Sequence, residues 1–76
     1  MSLANPYGTL VSALRGRLNP GRPDYLTPDQ AHAQLVRMAW GMDYGYDAVR
    51  WVAWLIERGY LREGEYTVSD DHKSPN

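Results

Sequence analysis

The 76-residue chain contains no cysteine and no phenylalanine, and its single lysine, Lys73, stands beside seven arginines. Without cysteine there is no disulfide staple, no thiolate metal site and no thiol nucleophile. Nothing ties the chain to an oxidising compartment. No apolar run approaches the roughly 20 residues that a membrane span needs, and the opening "MSLANPYGTL" lacks the basic flank and apolar core of a signal peptide. A cytoplasmic protein without membrane attachment is expected. The arginine bias and the missing phenylalanine suit a GC-rich bacterial or phage genome.

Charge of one sign is also scarce. Net charge is −1, and it divides as +2 over residues 1–42 and −3 over residues 43–76. Nucleic-acid-binding domains usually present a dense basic face, because neutralising phosphates supplies most of their affinity. Only Arg15, Arg17 and Arg22 cluster here.

Catalytic groupings are equally thin. Hydrolysis needs a nucleophile with a paired base in a concave site. The two histidines are His32, at the start of a helix and turned toward its apolar side, and His72, near the C-terminus. His32 reads as a half-buried, hydrogen-bonded side chain. Asp43, Asp47, Asp70, Asp71 and His72 match no calcium-loop or zinc spacing, and no glycine-rich phosphate loop occurs. No enzymatic activity, cofactor, metal or small-molecule substrate is expected.

What the chain does have is a globular balance, 43% hydrophobic with 22% charged residues. One small domain over residues 1–68 is expected, burying about 60–65% of the surface of its unfolded chain. The polar residues 69–76, "SDDHKSPN", read as a disordered tail.

Three helices are legible. Asn5 and Pro6 start the first, over residues 6–18, with Tyr7, Leu10, Val11, Leu14 and Leu18 at helical spacing. Gly8 and Gly16 weaken it by about 1 kcal/mol each relative to alanine. "NPGRPDYL" then forbids continued helix. In "LTPDQA", Thr27 and Gln30 form a capping box around Pro28. That second helix is expected to reach Trp40 and stop at Gly41, with Ala31, Leu35, Met38, Ala39 and Met42 inward. Asp47 caps a third helix over residues 48–58, and Gly59 ends it with Tyr60 folding back on Leu55. Beyond it, Tyr60-Leu61 and Tyr66-Thr67-Val68 flank Gly64 in the manner of a β-hairpin. The fold class is mainly α, three helices with a C-terminal hairpin.

"MDYGYDAVRWVAWLIERGYL" poses the functional question. On a helical wheel Ala48, Val49, Trp51, Val52, Ala53, Leu55 and Ile56 share one broad apolar arc, while Arg50 and Glu57 oppose it. Trp54 falls with Glu57 and Arg58. Either the hairpin or the first helix covers Trp54, or it stands exposed as an anchor of the kind enriched at interface hot spots. Tyr44 and Tyr46 flank Gly45 and divide between core and solvent.

Gly41-Met42-Asp43-Tyr44-Gly45-Tyr46-Asp47, followed by Trp51 and Trp54, resembles a helix-loop-helix joint of bacterial HEAT-repeat-type proteins. That resemblance spans about twenty residues and implies scaffolding and protein binding, with no catalytic residue. The order helix, helix, "ERGYL…GEYTVS" is similar to a winged helix, which implies a recognition helix running into a wing. Its joint of about seven residues exceeds the three or four usual for helix-turn-helix, and Arg50, Trp54, Glu57 and Arg58 are a poor set for reading bases.

The expected function is therefore protein interaction, with a larger protein or a second copy as partner, through Trp54, Arg50, Glu57 and Arg58 edged by Tyr44 or Tyr46. The alternative is a winged-helix-like DNA binder using Arg50, the hairpin Arg62 and the Arg15, Arg17 and Arg22 patch.

Overall fold

The computed structural model describes residues 5–68, so the expected tail, 69–76, lies outside the described residues. Three helices form: α1 (Pro6–Leu14), α2 (Pro28–Met38) and α3 (Ala48–Glu57). Each start obeys the chemistry of its N-cap, where a side-chain oxygen takes up an amide the helix leaves unpaired. Asn5 accepts from the Tyr7 N–H at 2.8 Å, Thr27 from the Gln30 N–H at 3.1 Å, and Asp47 from the Arg50 N–H at 3.2 Å. The capping box is complete, because the Thr27 N–H donates to Gln30 Oε1 at 2.9 Å.

All three helices end in one backbone device, the paired bonds of a Schellman motif. In α1 the Arg17 and Gly16 N–H groups return to the Ser12 and Ala13 carbonyls; in α3 those of Tyr60 and Gly59 return to Leu55 and Ile56. In α2 the Gly41 and Trp40 N–H groups return to Val36 and Arg37. α1 therefore stops at Leu14 and α2 at Met38, short of the expected 18 and 40.

α1 is the central helix and packs on both of the others. Its Leu10, Val11, Ala13 and Leu14 join Ala31, Leu35 and Ala39 of α2 and Trp51, Val52, Trp54 and Leu55 of α3 in one core. Leu61 closes it from the C-terminal side.

The expected hairpin does not form: no residue among those described is in a strand. Its backbone groups are already committed. The Tyr60 and Leu61 N–H groups both reach the Leu55 carbonyl, and the Tyr60 carbonyl accepts from Asn5 Nδ2 at 3.1 Å. Those two N–H groups and that carbonyl are therefore not free for a ladder. Residues 62–65 instead make an isolated turn, with Glu65 N–H on the Arg62 carbonyl at 2.9 Å. Tyr66 then lies against α1, its hydroxyl 2.8 Å from Ser12 Oγ. Gly8 is what admits the ring, since a Cβ there would sit 3.0 Å from Tyr66 Cδ2.

Candidate functional site

The joint between α2 and α3 is held from beneath by polar pairs. The His32 ring, in the first turns of α2, lies 4.7 Å from the Tyr46 ring in a stacked arrangement and donates from Nε2 to Asp43 Oδ1 at 2.7 Å. The same carboxylate oxygen accepts the Gly45 N–H at 2.7 Å. These two bonds, His32 first, hold the Asp43 carboxyl below the usual carboxylate range. The Tyr46 hydroxyl donates to Asp29, and that bond with the adjoining negative charge raises the phenol above its ordinary value. Trp51 Nε1 donates to the Gly45 carbonyl at 2.8 Å from the core side. His32 is half-buried and hydrogen-bonded, as the sequence reading expects.

The expected anchor Trp54 is buried at 7% exposure, which corrects the surface assignment. Its ring meets Trp51 edge-on at 5.8 Å and Tyr60 at 5.9 Å, and Tyr60 is backed by Tyr7 at 4.7 Å. The left-handed Gly59 turns the chain so that Tyr60 lies over Trp54. The buried face of α3 is consequently rotated by roughly 80° from the centre of its apolar arc. Val49 is left 63% exposed and Ala53 exposed too.

The large exposed ring is Trp40, at 76%. It occupies the left-handed position of the α2 terminus with φ 54°, where α1 and α3 place Gly16 and Gly59. A bulky L-residue there costs roughly 1–2 kcal/mol. Arg58, at the end of α3, sets its guanidinium 5.0 Å over the centre of the Trp40 ring. One α-helical run away on the same helix, Arg50 does the same over Tyr44 at 4.6 Å. Met42, which follows Trp40 by two residues and precedes Tyr44 by two, is 49% exposed, and its sulfur accepts from the Tyr44 hydroxyl at 2.9 Å. Tyr44 itself is fixed edge-on against Trp51 at 4.9 Å. The result is a ledge of two arginine-on-aromatic pairs, Arg50 on Tyr44 and Arg58 on Trp40, with Met42 bonded to the first. Cation–π contacts of this kind hold each guanidinium face while leaving its N–H edges to a ligand.

Of the six residues expected to meet a partner, Arg50, Arg58 and Tyr44 belong to this ledge. Glu57 is exposed beside it, Tyr46 is turned to His32 and Asp29, and Trp54 is in the core. Trp40 was missed, and Met42, expected inward on the second helix, is instead 49% exposed because α2 ends at Met38. The signal for Trp40 was present, because at 100° per residue it falls well off the stripe of Ala31, Leu35 and Ala39.

The nucleic-acid alternative rests on Arg50, Arg62, Arg15, Arg17 and Arg22. Arg22 is bound bidentately to Asp24 at 2.7 and 2.8 Å, Arg15 and Arg17 have interactions of their own, and Arg62 sits in the 62–65 turn rather than on a wing. A shallow cavity of about 280 Å³ opens on the far side of α1 against Leu26 and Gln34. Its one carboxylate, Asp24, is the one that Arg22 occupies. Among the described residues no three His, Cys, Asp or Glu side chains gather to hold a metal ion, and no helix is long and apolar enough to cross a membrane.

Comparison with known proteins adds no family: no family model, curated protein or solved structure matches the chain.

Proposed function

We propose that the protein is a small interaction module that binds another protein through the Trp40–Met42–Tyr44 ledge with Arg50 and Arg58. The observation that carries this reading is Trp40. A large apolar ring, mostly in solvent, is held at a backbone position where glycine would be more stable. Strain of this sort persists where the side chain has a use, and tryptophan and arginine are the residues most enriched in interface hot spots. Anchors on a rigid support also lose little entropy on binding. Tyr44 against Trp51, and the His32–Asp43–Gly45 bonds beneath, supply that support.

The test is affinity capture with the wild-type protein and Trp40→Gly side by side, after thermal melts have shown both folded. A partner retained by the wild type and lost by Trp40→Gly supports the reading. Identical capture by the two proteins overturns it.

A further inference from the structure

Resting on that reading, the geometry points to a specific kind of partner. We infer that the ledge takes an extended acidic segment of the sequence pattern acidic-x-apolar-x-acidic.

Charge complementarity sets the first requirement. Arg50 and Arg58 are exposed, and neither forms an ion pair with a carboxylate among the described residues. Their outward N–H edges are donors that fit carboxylates bidentately. Spacing sets the second. Arg50, in α3, and Arg58, its C-cap, are eight residues apart, which is about 12 Å along the axis and about 80° around it. In an extended chain, residues i and i+4 lie about 13 Å apart and point to one side, as does i+2 between them. Two carboxylates at i and i+4 reach the two guanidiniums, and the side chain at i+2 meets the apolar surface of Met42 and Trp40. A helical ligand fits less well, since eight of its residues would be needed to cover the same distance.

Acidic neighbours oppose such a ligand: Asp47, whose carboxylate takes the Arg50 backbone N–H at 3.2 Å, and Glu57. Glu57 is exposed on the same side of α3 as Arg50 and adjoins Arg58. An acidic segment binds against that charge, so its removal tightens binding.

The experiment titrates the full chain into a fluorescein-labelled peptide, Gly-Glu-Ala-Leu-Ala-Glu-Gly, followed by anisotropy at low and moderate salt. The expected Kd is roughly 10–100 μM at low salt, weakening as salt screens the pairs. Arg50→Gln and Arg58→Gln should each weaken binding about three- to tenfold, with melting lowered only by the few degrees that one exposed cation–π contact contributes, and replacing both Glu of the peptide by Gln should weaken binding likewise. Glu57→Gln should strengthen it. A protein carrying R50E and R58E should bind the peptide with Lys in place of Glu.

No saturable binding by the wild type up to about 1 mM overturns the inference. So does binding indifferent to R50Q and R58Q. Tighter, Arg50- and Arg58-dependent binding of a single-stranded oligothymidylate of equal charge also overturns it, in favour of nucleic acid. If the peptide fails while a Trp40-dependent partner is still captured, only the ligand class falls; if both fail, the interaction reading falls with it.

Discussion

Asn5 joins the two ends of the described chain: its Nδ2 donates to the Tyr60 carbonyl and to Glu65 Oε2, both at 3.1 Å, while its Oδ1 caps α1. A capping side chain thereby becomes a clasp between α1 and the segment that covers Trp54. Asn5→Asp separates the two roles. By capping chemistry alone aspartate is as good as asparagine or better, since it also suits the positive end of the helix dipole. It has no N–H to give, however, and would set a second carboxylate beside Glu65. The expected result in urea titration is a loss of about 1–2 kcal/mol. A stability equal to or above wild type would show that the clasp contributes nothing.

Gly8→Ala sets helix propensity against packing. Alanine should favour the helix by about 1 kcal/mol, but its Cβ meets a Tyr66 ring that Ser12 holds in place. Overpacking of this kind costs about 1–3 kcal/mol, so the net change is destabilising. In a Tyr66→Ala background the ring is gone and the same substitution should stabilise. A double-mutant cycle by denaturant unfolding reads the reversal of sign.

Trp40→Gly is expected to raise stability while abolishing partner binding. Relief of the left-handed residue, roughly 1–2 kcal/mol, outweighs the loss of an exposed cation–π contact of about 0.5–1 kcal/mol. A domain of this size should then melt a few degrees higher, since 1 kcal/mol corresponds to about 4–8 °C. A lower melting temperature would mean that the ring stabilises the fold and that its exposure needs no functional account.

The joint should loosen at both extremes of pH. The Asp43 carboxyl is held low by His32 and the Gly45 N–H, so its contribution is present above the ordinary carboxylate value of about 3.9 and is lost as pH falls through the folded value. Tyr46 is held high by Asp29. Its contribution is present below the ordinary phenol value of about 10 and is lost as pH rises through the folded one. Stability measured against pH for Asp43→Asn and Tyr46→Phe should converge on wild type at the acid and alkaline ends respectively. Curves that stay parallel across the whole range would exclude the two hydrogen bonds as sources of pH dependence.

Local rules of helix initiation and termination proved reliable along this chain because they act within four or five residues. Asn5, Thr27 and Asp47 all cap where expected, and Gly59 ends α3 with Tyr60 bonded to Leu55. The burial of Trp51 was equally legible from the wheel. What was not legible depended on contacts distant in sequence. Trp54 looks solvent-facing on α3 alone and is covered by Tyr60, which Asn5 holds from the other end of the domain. The hairpin reading had suitable residues in Tyr66, Val68 and Gly64 but could not see that α1 offered Gly8 and Ser12 as a better seat for Tyr66. Trp40 was overlooked because the nearby Gly41 offered an easier stop, whereas the left-handed turn begins one residue earlier.

The rings that fill this small core also sort its light emission. Tyr44, Trp51, Trp54, Tyr60 and Tyr7 form an unbroken series of contacts from the joint to the first helix, and excitation entering it can pass between neighbours. Trp40 stands outside that series, mostly in water, with the Arg58 guanidinium over its ring. Its fluorescence should be the red-shifted component, quenched by iodide while the buried pair is spared. Unlabelled protein thus carries a native optical probe at the ledge itself, and any ligand that settles there should shield that component before it touches the others.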